Sequence, residues 1–389
     1  MTEKAGKNRS DYKRVNRGLV MKMIASGQCT SRVDLVESMG LSKMAISNIV
    51  SEMLEQNLLI ETKAEKSADP GRKRIGLEIS PEAPRVIGLS IMRDCCDAVL
   101  CSLDMKVIRR ETIVYGSNMN KDQLIYDVYQ LLDTLLYVEK NVAAIGIASI
   151  GPINVREGRI LNPFYFHGIE DVEITKIVEE RYKLPVFFNH DNQSAVQVEA
   201  LFGNGHGYQD ILLIGAGEGV GCGILSSDHL HKNNKGLSPE PGHVSINYAG
   251  KLCTCGNRGC LETYVRTPEI LKQLHEKTGK YYTYEAFCKM TDNPAVDEIF
   301  TDAVQKVAVA IVSIVNILNC ELIILSNDFV YWDDKYVEML ENLINKYRFT
   351  KWADRVTVKK TYFKKDSALL GAACNAILSI YEGGLLFEE

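Results

Sequence analysis

Apolar residues at helical spacing mark the first elements of the chain. Leu19, Val20, Met23 and Ile24 recur three and four positions apart and stop before Gly27, which predicts a helix over 16–24 closed by a glycine. A second run, Val33, Leu35, Val36 and Met39, follows Thr30 and Ser31, either of which can cap a helix, and Gly40 breaks it. Ser42 then caps a third helix with Ile46, Ile49, Val50, Met53 and Leu54 inward. Two short capped helices joined by a turn at Gly40-Leu41 predict a helix-turn-helix. The stretch LLIETKAEKSADPGRKRIGLEI alternates apolar and polar at both ends of an Asp69-Pro70-Gly71 turn. It predicts a two-stranded wing, and the whole a winged helix-turn-helix over residues 12–80.

Beyond residue 85 the pattern changes. VIGLSIM, DAVLCSLD and KVIRRETIVY read as strands, Asp122 to Val138 as a helix, and VAAIGIASIG as a buried strand ending in a glycine turn. PVFFNHD runs into the helical NQSAVQVEALFG, and ILLIGAGEGVGCGIL reads as strand, glycine turn and strand. The last third is mostly helical, interrupted by the strand ELIILS and finished by SALLGAACNAILSIY. This alternation predicts a mixed α/β body. The most apolar stretch, Val307 to Leu318, is expected to be a core helix, being too short to span a bilayer and holding Ser313 and Asn316.

Length and charge divide the chain further. With 389 residues, two or three domains are expected. Residues 1–80 carry 14 Lys+Arg against 10 Asp+Glu, a local +4 in a chain of net charge -5. A basic piece on an acidic body points to nucleic acid. The outward residues near the start of the third helix, Lys43, Met44, Ser47 and Asn48, are those such a helix presents to base edges, and Arg72, Lys73 and Arg74 at the wing tip suit phosphates. The bland alternative is a small helical bundle whose charges merely solvate it. The basic start MTEKAGKNRSDYKR is followed by no apolar leader, so a cytoplasmic protein without membrane association is expected.

Eleven cysteines in such a chain argue against a disulfide framework. Cys253, Cys255 and Cys260 sit in GKLCTCGNRGCLET, ten residues and more after His243. A Cys3His set is a common closed zinc site, and Gly256 and Gly259 permit the tight turns it needs. Free thiols in a glycine loop are the plainer alternative. A redox pair is weaker, because C-x-x-C is absent.

PEPGHVSI (239–246) and CTCGNRGCLE (253–262) resemble the E-x-G-H and C-x-C-G-x-x-G-C-x-E motifs of the ROK family, in its repressor branch. The resemblance covers nearly the whole chain. It implies a winged helix-turn-helix at 1–80 followed at 81–389 by a two-lobed α/β sugar-binding domain of actin-like (ribonuclease H-like) sugar-kinase fold. It implies the same four ligands for a structural zinc, in a loop spanning 243–262. It also implies that Glu240, His243, Glu262 and Asp191 contact a sugar, with Asn162 a further candidate and His190 standing where family kinases usually carry asparagine.

The family's phosphate motifs are altered. Ser90 to Asp94 replaces D-x-G-G-T, Glu218 stands for threonine in the glycine turn 217–223, and Ser326 and Asn327 replace the adenosine-side glycines. A carboxylate at the phosphate position repels ATP. The expected function is therefore a sugar-responsive transcriptional regulator, a repressor rather than an enzyme. It would bind operator DNA as a homodimer or higher oligomer and respond to a sugar or sugar phosphate through lobe closure. An active kinase fused to a DNA-binding domain, and a ligand-blind regulator controlled by a protein partner, are the alternatives.

Overall fold

The computed structural model describes residues 9–63, 75–227, 229–231 and 237–387. They form two compact units: residues 1–150, 157–189 and 372–389 belong to the first, and 151–156 with 190–371 to the second.

The first unit opens with α1 (Arg9–Ala25), α2 (Arg32–Met39) and α3 (Lys43–Glu55), then β1 (Leu59–Thr62) and β2 (Gly76–Ile79). Ser31 caps α2 by accepting from the Asp34 amide, and Ser42 caps α3 by accepting from the Ala45 amide. Gly40 ends α2 in the left-handed region at φ 65°, which a residue with a Cβ adopts at a cost. Helix α1 begins seven residues before the predicted Asn16. Val33, one of the apolar residues of that run, is 44% exposed, and the eight-residue α2 buries only Leu35. Strands β1 and β2 pair antiparallel, Leu59 opposite Ile79, and the Leu77 amide donates to the Thr30 carbonyl, tying the ladder to the start of α2. The predicted turn at Asp69-Pro70-Gly71 and the tip residues Arg72, Lys73 and Arg74 lie outside the described residues. A nearly buried Arg17 of α1 pairs with Glu52 of α3, which keeps a charge out of water only because it has a partner.

The same unit continues through β3 (Arg85–Ile91), β4 (Cys95–Cys101), β5 (Val107–Val114), α4 (Lys121–Val138), β6 (Val142–Ser149), the short β7 (Ile153–Asn154, a segment of the second unit) and β8 (Arg159–Ile160), α5 (Ile174–Tyr182) and β9 (Val186–His190). Its five-stranded sheet has the order β5-β4-β3-β6-β9, with β3 antiparallel to β4 and parallel to β6. Strands β3, β4 and β6 are buried along almost their whole length, as strands covered on both faces are.

The second unit contains α6 (Asp191–Phe202), β10 (Ile211–Ala216), β11 (Val220–Ser226), β12 (His229–Leu230), α7 (Glu262–Val265), α8 (Thr267–Thr278), α9 (Tyr284–Cys288), α10 (Pro294–Leu318), β13 (Leu322–Asn327), α11 (Asp334–Tyr347) and β14 (Thr357–Lys360). Helix α12 (Ser367–Tyr381) follows, its residues from 372 onward belonging to the first unit. The second sheet runs β12-β11-β10-β13-β14, antiparallel between β10 and β11 and parallel through β13 and β14. Its main core joins Leu212, Ile214, Ile323 and Leu325 to Phe300, Val304, Ile311 and Leu340. A fully buried Glu199 accepts from the amides of Asn204 and Phe363 and from the Thr361 hydroxyl, so the end of α6 and the segment after β14 share one carboxylate. Burial raises its pKa.

The apolar run from Val307 is the second half of a 25-residue helix, so the expected length limit does not apply. By length and composition α10, and likewise the stretch Lys364–Phe387, suffice to cross a membrane. The N-terminal half of α10 also carries Asp297, Glu298, Asp302 and Lys306, while Val296, Phe300, Val304, Val307 and Ile311 form an inward stripe. That two-sided pattern is what a helix packed on a sheet requires.

Within the first unit, a Cβ added to Gly18 of α1 would lie 2.3 Å from the Tyr381 carbonyl oxygen. Backbone blocks the way, so Gly18→Ala is expected to destabilise the chain by ~1–3 kcal/mol, read as a lowered thermal midpoint. An unchanged midpoint would show that α1 does not rest on this contact.

Candidate functional site

The cysteine loop is folded by its own backbone. The Cys253 amide donates to the Asn257 carbonyl and the Gly256 amide to that of Cys253, with Gly256 at φ 90° and Gly259 at φ 66°. A Cβ on Gly259 would meet the Asn247 carbonyl oxygen at 1.8 Å. Two further bonds, Ile246 amide to Gly259 carbonyl and Leu261 amide to Val244 carbonyl, lay 244–246 beside 259–261. This pairing brings His243 to the cysteines.

Ligand atoms of His243, Cys253, Cys255 and Cys260 all lie within 4.8 Å of one another. Cys255 and Cys260 sulfurs are 3.7 Å apart, and the Cys253 sulfur is 3.6 Å from His243 Nδ1. A disulfide needs about 2.05 Å between sulfurs. A tetrahedral centre with bonds near 2.3 Å to sulfur and 2.0–2.1 Å to nitrogen has S···S edges of about 3.8 Å and S···N edges of about 3.6 Å. These two separations match those edges, and the four residues together offer a donor set that can hold a metal ion. Burial raises the Cys253 thiol and pushes Cys260 up to about 12, while the Asn257 backbone holds the Cys255 thiol below its usual range.

Carboxylates gather beside this cluster. Glu262, the first residue of α7, sets Oε1 at 3.4 Å from the Cys253 sulfur and 3.6 Å from His243 Nδ1. Gly242 passes so close to β11 that a Cβ would stand 2.5 Å from the Val220 carbonyl oxygen and 3.4 Å from Glu262 Oε2. Although Glu240 is exposed as a residue, crowding around its carboxyl raises its pKa; His190 and His243 oppose the shift, and Asp191 and Glu262 add to it. All five groups therefore lie within electrostatic range in one unit.

His190 ends β9 and Asp191 begins α6, both nearly buried, with His190 Nδ1 at 2.7 Å from Asp191 Oδ1. A carboxylate suits the positive end of a helix. Asp191 Oδ1 also accepts from the Asn192 amide at 2.6 Å and from Asn192 Nδ2 at 2.9 Å. Asn192 was missed by sequence reasoning; its position beside Asp191 at a strand-to-helix junction was the available signal. Gly221 leaves room for it, since a Cβ there would meet Asn192 Nδ2 at 2.6 Å. Gly151 does the same for His190, whose Nε2 would be 2.7 Å from an added Cβ.

The glycine turn between β10 and β11 borders this wall, Gly219 facing Glu262 Oε2. Its Gly217 amide donates to the Gly219 carbonyl, and Glu218 stands exposed at its tip. Asn162 is exposed in the first unit. On α3, Lys43, Met44, Ser47 and Asn48 are all exposed on one face, opposite the buried Ile46, Ile49, Val50 and Met53. Met44 is 75% exposed, an apolar side chain left in solvent.

These two mixed sheets with their covering helices have known counterparts. A crystal structure of a ROK family transcriptional regulator, homolog of the E. coli MLC protein, superposes with TM-score 0.81 at 22% identity, covering 97% of this chain and 98% of that one. The ROK hexokinase from Thermus thermophilus superposes with TM-score 0.67 at 20% identity over 76% of this chain and 99% of its own. The body thus has the ROK actin-like sugar-kinase fold. The ROK family model matches residues 86–377, more than half of the chain, and the protein belongs to that family. The xylose repressor of Caldicellulosiruptor bescii is 23% identical over 389 residues, spanning 95% of this chain and 97% of the repressor.

Cys255 is the exposed member of the four donors, so replacing it disturbs little packing. Metal analysis of the purified chain is expected to find about one thiophilic divalent ion, and Cys255→Ser to lose most of it. Full metal content in that variant would refute the four-donor centre.

Proposed function

We propose that this protein is a sugar-responsive transcriptional repressor that catalyses no reaction. The observation that carries the reading is the helical module of residues 9–55, with Lys43, Met44, Ser47 and Asn48 exposed on one face, ahead of a ROK domain that begins its match at residue 86. The repressor resemblance extends across this module as well as the body.

In this reading residues 1–80 are a winged helix-turn-helix. Helix α3 enters the major groove and reads bases through Lys43, Met44, Ser47 and Asn48, while Arg72, Lys73 and Arg74 at the wing tip hold phosphates. Operators for such modules are two-fold, so the acting species is at least a homodimer. The metal is zinc, held by His243, Cys253, Cys255 and Cys260. With four protein donors it has no open position and serves structure. It fixes Glu240, His243 and Glu262 as one wall of a sugar pocket that also uses His190 and Asp191. Carboxylates accept from hydroxyl pairs, which is how a polar pocket recognises a sugar. Kinase activity is disfavoured by Glu218, a carboxylate in the turn where phosphates would lie, and by the internally bonded Gly217 amide.

A sugar shifts DNA affinity only through different affinities for the DNA-bound and free states. Fluorescence anisotropy with the cognate operator should show release on adding the effector sugar and loss of that response in Cys255→Ser. Asn48→Ala is expected to cost ~1–3 kcal/mol on the operator alone, whereas alanine at Arg72, Lys73 and Arg74 weakens all DNA alike and flattens the salt slope. ATP-dependent phosphorylation of a hexose that vanishes in Asp191→Asn would overturn the non-enzymatic reading.

A further inference from the structure

Helix α10 buries one side against the second unit's core and presents the other to solvent. Glu298, Asp302, Gln305, Val309 and Asn316 are all exposed. At about 100° per residue they share one helix face. From 298 to 316 that face runs about 27 Å at 1.5 Å per residue. It is polar and acidic in its first half, and Val309 with the half-buried Val312 makes it apolar beyond.

Each end of the face adjoins a different feature. At the amino-terminal end, residues of α8 and α10 line a groove of about 790 Å³. Its lining carries Glu276, Asp297, Glu298 and Asp302 beside Lys277, so carboxylates outnumber cations there. Lys277, Lys335 and Lys306 pair with Glu298, Asp297 and Asp302, but a carboxylate has lone pairs for further donors.

At the carboxyl-terminal end a loop projects beside the helix. The Phe349 amide donates to the Asn316 side-chain oxygen at 2.8 Å, which ties the loop to this face. The buried Arg348 donates to the Ala353 carbonyl at 2.7 Å, and the Ala353 amide to that of Thr350. In that frame Phe349 and Trp352 meet edge to face at 5.4 Å, yet they are 72% and 76% exposed. Ile317, next to Asn316 on α10, is 77% exposed. Lys346, Lys351 and Arg355 stand exposed in and beside the loop. Single exposed apolar residues are ordinary. An aromatic pair held rigid beside an apolar helix turn, with cations around it, has the composition of a protein interface.

A knob at one end of a face and a groove at the other become complementary under a two-fold axis through the middle. An axis crossing α10 near 305–309 sets Glu298 of one copy opposite Asn316 of the second, and so each loop at the other's groove. Val309 then meets its own counterpart. The Lys351 ammonium and the Trp352 indole N–H only donate, and carboxylates only accept.

We infer that the exposed face of α10 is a two-fold dimer interface, with the Phe349–Trp352 loop of each copy seated in the α8–α10 groove of the other. The inference rests on the repressor reading for its occupant, a second copy of this chain, and supplies the surface.

Sedimentation equilibrium of the full-length chain without DNA tests it. A dimer of twice 43.5 kDa is expected. Val309→Glu, which sets two carboxylates against each other at the axis, and Trp352→Ala are each expected to raise the dissociation constant roughly thirtyfold or more. Lys351→Glu is expected to raise it about tenfold. These side chains are exposed, so the circular dichroism spectrum should stay that of the wild type; if Val309→Glu misfolds, Trp352→Ala decides. A dimer indifferent to these substitutions associates through another face, which overturns the inference and leaves the repressor reading intact. A wild type still monomeric at about 100 micromolar overturns the inference too. If it is also monomeric on operator DNA, the repressor reading falls with it.

Discussion

Two backbone hydrogen bonds, from the Ile246 amide to the Gly259 carbonyl and from the Leu261 amide to the Val244 carbonyl, organise the chemistry of the second unit. They place His243 and Cys260 side by side and start α7 at Glu262. Glycine makes the approach feasible, since any side chain at 259 would collide with the Asn247 backbone. The metal donors and the carboxylate beside them are thus consequences of one short antiparallel pairing. A metal bound there would add a second constraint across the same pair of segments.

The other half of the wall comes from a strand-to-helix junction. Asp191 sits at the amino-terminal end of α6, where the helix field favours its charge, and binds the Asn192 amide and side chain and His190.

Much of this was legible beforehand. Cap residues and glycines marked α2 and α3 to within a residue, because Ser31, Ser42 and Gly40 act on immediate backbone neighbours. The two sequence motifs hold the four residues of the Cys/His cluster and two of the carboxyl groups beside it, Glu240 and Glu262. Less was legible where neighbours distant in sequence decide. Val33 fits a helical stripe yet stays in solvent, since burial depends on what α2 packs against. Asn192 escaped notice because an asparagine in a helix start is ordinary until its partners are known.

The sequence by itself determined which residue types were available and their local geometry: capped helices, glycine turns, three thiols and a histidine in a short loop, and a carboxylate in the phosphate turn. Those are effects of nearest neighbours along the chain, where hydrogen bonds and backbone angles span a few residues. Tertiary structure alone decided the distances that make a site, with sulfurs at tetrahedral edge length, Glu240 within the fields of four ionisable groups, and Gly217 and Asn192 amides already spent. These depend on closing loops between residues as far apart as Asp191 and Glu262, and only packing of the whole unit fixes them.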